Sequence, residues 1–132
     1  MSRLKATIVS IETVENLNIV KFSFNNTILT MMSLDLNSDI KIGTKVSLAI
    51  KPTHVAIAKD FNGIVSYSNQ INTIINDIDN GKLLSSIKLG INDTIIESII
   101  TVESSQKMNL KVGDSVIALI KASEISIQGI VE

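Results

Sequence analysis

The sequence predicts an all-β protein built as two tandem OB-like five-stranded barrels, each with a short helical turn. Three observations predict it. The chain matches itself at a nearly constant spacing, apolar and polar residues alternate with period two, and Ile and Val are abundant in the alternating segments.

Residues 40–58 lie over residues 110–128, matching Lys41 with Lys111, Gly43 with Gly113, Val46 with Val116 and Lys51 with Lys121 at an offset of 70. Earlier in the chain, residues 4–8 fit residues 71–75 and residues 26–29 fit residues 93–96 at an offset of 67. The drift between the two offsets puts a small insertion in the second copy, opposite the segment between Ser33 and Gly43. Self-similarity of this kind marks a duplicated unit, with one domain over residues 1–60 and another over residues 64–130.

Within each repeat the elements follow in order. A first strand covers residues 4–8 or 71–75. The second, residues 20–25 or 87–92, alternates apolar with polar, as a half-buried strand does. Asn25-Asn26 and Asn92-Asp93 tolerate positive φ and turn each strand back as a hairpin into residues 27–32 or 94–101. Residues 33–41 and 101–111 are expected to form short helical turns, the second with Ser104 or Ser105 as its N-cap. Gly43 and Gly113 then act as turn-formers before a fourth strand at residues 46–50 or 116–120, and a fifth covers residues 55–58 or 125–127. Repeats of this length have thin cores, so repeat must pack on repeat or chain on chain.

Composition removes several classes of function. With no Cys and His54 the sole histidine, thiolate clusters, disulfides and His-rich metal sites are excluded, and no cation site or cofactor is expected. The 12 Lys plus Arg against 13 Asp plus Glu leave no positive field, and the four aromatics, Phe22, Phe24, Phe61 and Tyr67, are too few for a nucleic-acid surface. No signal segment or bilayer-length apolar stretch is present, which makes the cytoplasm the expected location, with no membrane partner.

The second repeat carries Ser66-Tyr-Ser-Asn-Gln-Ile71 at its start, Glu97-Ser-Ile-Ile-Thr101 in the middle, and Leu110-Lys-Val-Gly-Asp-Ser-Val116 with Ile120-Lys-Ala-Ser-Glu-Ile125 near its end. Together these resemble the Mop (TOBE-type) domain of the molbindins. That family opens on Ser-Ala-Arg-Asn-Gln-Leu-Lys-Gly, has a central Ser-Ile-Ile-Thr-like segment and closes on Lys-Ala-Ser-Glu or Lys-Ser-Thr-Asp. The first repeat shows degraded forms in Leu4-Lys-Ala6, Thr30-Met-Met-Ser33 and Lys51-Pro-Thr-His54. The resemblance implies a tandem Mop protein, not an enzyme, that binds molybdate or tungstate in the cytoplasm for storage, buffering or homeostasis. It also implies a homo-oligomer, a dimer or trimer of the tandem chain, with sites between domains. The same tandem forms the ligand-sensing module of molybdate-responsive regulators, which is the alternative.

A tetrahedral dianion offers four acceptor oxygens and no proton, so a pocket of hydroxyls, backbone N–H groups, amides and one or two cations suffices. Hydrogenphosphate retains a proton that a donor-only pocket leaves unpaired. Carried over from the closing motif, Lys121, Ala122 and Ser123 are the leading candidates, with Lys51 and Thr53 as their counterparts. Ser66, Ser68 and Asn69 come from the opening motif. Ser68 stands where the family has Arg, which removes a fork of donors. Arg3, next to Ser2, is the substitute cation, although it aligns with Gln70 rather than Ser68. Ser33 and Thr101 follow the third strands, where a hydroxyl can face an oxyanion or cap the helical turn. His54, opposite Glu124 in the repeat alignment, reads as a surface residue.

Overall fold

The computed structural model describes residues 1–132 and contains ten strands, one α-helix and two 3₁₀ turns. The first repeat supplies β1 (Ser2–Val14), β2 (Leu17–Phe24), β3 (Thr27–Ser33), β4 (Lys45–Ile50) and β5 (Ala56–Ala58). The second supplies β6 (Asn69–Asn80), β7 (Leu84–Ile91), β8 (Thr94–Thr101), α1 (Val102–Lys107), β9 (Ser115–Ile120) and β10 (Ser126–Ile130). A 3₁₀ turn joins the last two strands of each repeat, Pro52–His54 in one and Ala122–Glu124 in the other.

The alternation seen in the sequence is the alternation of burial. Leu4, Ala6 and Ile8 point into the core from β1, Val20, Phe22 and Phe24 from β2, and Ile87 and Leu89 from β7. Asn25 and Asn26 both take positive φ, 44° and 63°, as does Asn92 at 53°, so the β2–β3 and β7–β8 hairpins close where Asn makes that conformation accessible. The first strand of each repeat runs several residues beyond the alternating stretch. A bulge between Ile8 and Ser10, and its counterpart between Ile75 and Asp77, lets the strand continue as an exposed two-stranded ribbon with β2 or β7. Exposure erases the period-two pattern there.

The strands form two five-stranded antiparallel sheets, ordered β10-β4-β1-β2-β3 and β5-β9-β6-β7-β8. The last strand of each repeat therefore lies in the sheet of the other. β5 pairs with β9 from Ala56 opposite Leu119 to Ala58 opposite Ile117, and β10 pairs with β4 from Ser126 opposite Ala49 to Ile130 opposite Val46. The 3₁₀ turns are the crossing points. Val55, just past the first crossing, is buried, and its carbonyl accepts the Ser98 hydroxyl of β8 at 2.6 Å. Because the exchange is reciprocal, the two thin cores merge into one cluster of 22 buried residues from Leu4 to Ile125.

The segments between third and fourth strands differ. In the second repeat the expected helix forms, but its N-cap is Thr101, whose Oγ1 accepts the Ser104 N–H at 3.1 Å, and not Ser104 or Ser105; Ser105 is buried inside the helix. Glu103 in the first turn and Lys107 in the last suit the helix dipole. The first repeat has no helix here. Its shorter segment closes on itself through side-chain turns: Ser33 donates to the Asp35 carbonyl at 2.7 Å, and Asp39 N–H to Asn37 Oδ1 at 3.0 Å. Asn, Ser and Asp offer the backbone these local partners in place of a helical ladder. No helix is long and apolar enough to cross a membrane.

Candidate functional site

The two crossings bring the closing motifs face to face. One pocket, of about 200 Å³, is lined by Lys51 from the end of β4 together with Ser123, Glu124 and Ser126 around the second crossing. The other, of about 330 Å³, is lined by Lys121 from the end of β9 together with Thr53 and Ala56 around the first crossing, and by Tyr67. The sequence pairs Lys51 with Thr53 and Lys121 with Ser123. In the fold, each lysine shares a pocket with the hydroxyl of the other repeat. The exchange of β5 and β10 is the cause, since each 3₁₀ turn travels with the strand that follows it.

Neither Lys51 nor Lys121 is ion-paired within the chain, so both carry uncompensated charge at their pockets. Lys51, Thr53, Lys121 and Ser123 are all solvent-exposed, and Ala122 is half-buried in the second turn. His54 and Glu124 line both pockets. Their side chains meet between them, with His54 Nδ1 2.7 Å from Glu124 Oε2. The offset of 70 had placed these two residues opposite each other in the repeat alignment. That alignment was the available signal, and it showed equivalence without showing contact.

The remaining candidates stand elsewhere. Asn69 is fully buried and its amide is spent within the chain: Oδ1 accepts the Thr30 N–H at 2.7 Å, and Nδ2 donates to the carbonyls of Thr30 at 2.9 Å and Ile120 at 3.1 Å. Ser2, its counterpart, is buried as well and accepts the Glu97 N–H at 2.8 Å. These two residues tie each first strand to the third strand of the other repeat. Thr101 serves as the helix cap. Arg3, Ser66 and Ser68 are exposed and line neither pocket. Ser33 lines a larger depression of about 600 Å³ between the 34–40 segment and β10; Asp35 is the only charged residue there, and Met31, Leu36, Ile40, Ile125 and Ile127 make much of its wall apolar. A dianion is poorly served by such a lining.

Lys59, just past β5, binds the other side of α1. Its Nζ donates to the carbonyls of Met108 at 3.2 Å and Asn109 at 2.8 Å, and pairs with Asp114 at 3.1 Å. The Lys111 N–H, donating to Asp114 Oδ2 at 2.9 Å, and then the Lys59 ammonium hold the Asp114 carboxyl below its ordinary value.

With this geometry in view, comparison with known proteins places the second repeat. Residues 66–127 match the family model of the TOBE domain. The second repeat is thus similar to a TOBE domain. The matched stretch runs from just before β6 into β10 and includes the crossing at Lys121, Ala122 and Ser123. No curated protein sequence gives a significant match. Among solved structures, the whole tandem is similar to one described as the cytoplasmic molybdate-binding protein ModG with molybdate bound. The two are 23% identical with a TM-score of 0.90, covering 98% of this chain and 95% of that one. The likeness establishes the shared fold, two OB-like units in tandem. A second structure, described as a molybdate-binding protein from Sporomusa ovata, is 28% identical over 46% of this chain and 90% of its own, with a TM-score of 0.45.

Proposed function

We propose that this chain binds molybdate, or the similar tetrahedral oxyanion tungstate, without chemical change, in a cytoplasmic storage or buffering role. The observation that carries the reading is the pair of crossed pockets, Lys121 with Thr53 and Lys51 with Ser123. Each combines an unpaired ammonium with a hydroxyl, the donor set a tetrahedral dianion uses. The tandem fold shared with ModG, a protein described with molybdate bound, supports the choice of anion. Residues 1–60 and 64–130 are taken as the two units of duplication. Exposed apolar side chains at the ribbon ends and turns, Val14, Ile42, Leu83 and Val112 among them, support assembly of the tandem into a dimer or trimer.

Calorimetry with molybdate, sulfate and phosphate tests the function, and native mass spectrometry reads chains and anions per assembly. Molybdate should bind far more tightly than sulfate, with phosphate weakest. A charge-assisted donor contributes roughly 1.5 to 3 kcal/mol, so Lys121→Ala should weaken binding by about one to two powers of ten. Lys51→Ala should act less strongly if the degraded first repeat supplies the poorer cation. The crossed arrangement adds a sharper expectation: Lys121→Ala and Thr53→Ala should be non-additive by about 1 kcal/mol, whereas Lys121→Ala and Ser123→Ala should add. No heat and no thermal stabilisation at millimolar molybdate would refute the function; coupling of Lys121 to Ser123 instead of Thr53 would refute the crossed sites.

A further inference from the structure

Of the chain's three close contacts between a basic and an acidic side chain, only His54–Glu124 joins equivalent positions of the two repeats, and it forms a wall common to both pockets. Two identical acidic residues at these positions would repel each other across the crossing. Here one is a histidine, and the pair is asymmetric. The side chains are 36% and 33% exposed, so the wall is wetted but not fully screened.

We propose that His54 links anion binding to proton uptake, one proton serving both pockets. This rests on the oxyanion-binding reading above. A dianion in either pocket faces the Glu124 carboxylate, whose charge opposes it. Nδ1 of His54 stays on Glu124 Oε2 in both protonation states of the imidazole, as the donor of the neutral ring or of the imidazolium. With the ring neutral, the wall carries one net negative charge; with the ring protonated, it carries none and gains an N–H donor at Nε2. A bound dianion therefore favours the protonated ring, and by linkage a protonated ring favours the dianion. Histidine is the side chain that changes charge near neutral pH, which makes the effect accessible to the cell.

The charged and titratable groups that line the two pockets with His54 are Lys51, which follows β4, Lys121, which follows β9, Tyr67, which precedes β6, Glu124 in the second turn, and the chain start at Met1; β8 contributes only Ile99 and Ile100 to this lining. A comparison of the parent with His54→Gln isolates the histidine, because both retain every one of these groups. The sign follows from the raised proton affinity of the anion-bound state: tight binding is present at low pH and lost as pH rises.

Molybdate titrations of the full chain between about pH 6 and about pH 8, each run in two buffers of different ionisation enthalpy, test the proposal. The parent should take up protons on binding, at most one for the pair of anions, and its affinity should rise several-fold toward the lower pH. His54→Gln should lose that slope. Glu124→Gln should bind more tightly than the parent at the upper pH and show a reduced slope, and melting curves establish that both variants are folded. Molybdate binding with no proton uptake in the parent, or with the parent's slope preserved in His54→Gln, overturns the proposal while leaving the function standing. Absence of molybdate binding in the parent at every pH overturns the function itself, and the linkage with it.

Discussion

At the scale of single residues, the structure separates polar side chains that hold the molecule together from those left free for a ligand. Asn69 belongs to the first group although it sits in a motif of the second kind. Its three hydrogen bonds reach backbone groups of Thr30 and Ile120, which no other side chain serves. Replacing it by Ala strands buried donors and acceptors, at about 1 to 3 kcal/mol for each group that water cannot reach. Asn69→Ala should thus cost about 3 kcal/mol in urea unfolding, and Ser2→Ala, which loses one bond at the matched position, about 1 kcal/mol. Equal losses at the two positions would mean that water replaces the amide at Thr30.

Among the elements, α1 shows how a few inserted residues change what packs against a barrel. The insertion supplies length for a capped turn of helix, and Lys59 and Asp114 clamp its C-terminal side. Neither has a counterpart in the other repeat, where Gly129 stands opposite Lys59 and Thr44 opposite Asp114. The lowered Asp114 pKa carries a definite sign. A carboxyl more acidic in the folded state stabilises the fold above its unfolded pKa, and that contribution disappears as pH falls through the folded value. Acidification below about pH 4 should therefore lower the melting temperature of the parent more than that of Asp114→Asn. Lys59→Met should weaken the same dependence, and amide exchange in Val102–Lys107 should quicken with it. An unchanged acid profile in both variants would remove the clamp from the stability of the helix.

The exchange of last strands is the property of the whole molecule that matters most. It ties the repeats into one core and assembles each pocket from both. A chain ending at Glu124 loses β10, a strand encoded in the second repeat but paired to β4 of the first. The damage should appear in the first repeat's sheet: amides of Lys45–Ile50 should lose protection from hydrogen exchange before those of Ser115–Ile120 do. The opposite order would show that β10 belongs, in solution, to its own repeat.

The local arrangement was legible in the sequence because period two, the Asn hairpins and the repeated offset are each set by neighbours along the chain. Val20, Phe22 and Phe24 had to face one way, and Asn25-Asn26 had to turn. The fold brings Lys51, Thr53, Lys121 and Ser123 of the closing motifs to pockets, but not in the pairs in which the sequence sets them. Which fourth strand receives β5 or β10 could not be read, since Val46-Ser-Leu-Ala-Ile50 and Val116-Ile-Ala-Leu-Ile120 present nearly the same apolar face and the same free backbone edge to either partner. Only the direction in which each three-residue 3₁₀ turn sends the chain decides that choice. With it come the crossed pockets and the meeting of His54 with Glu124, contacts between residues 70 apart in sequence that no local pattern encodes.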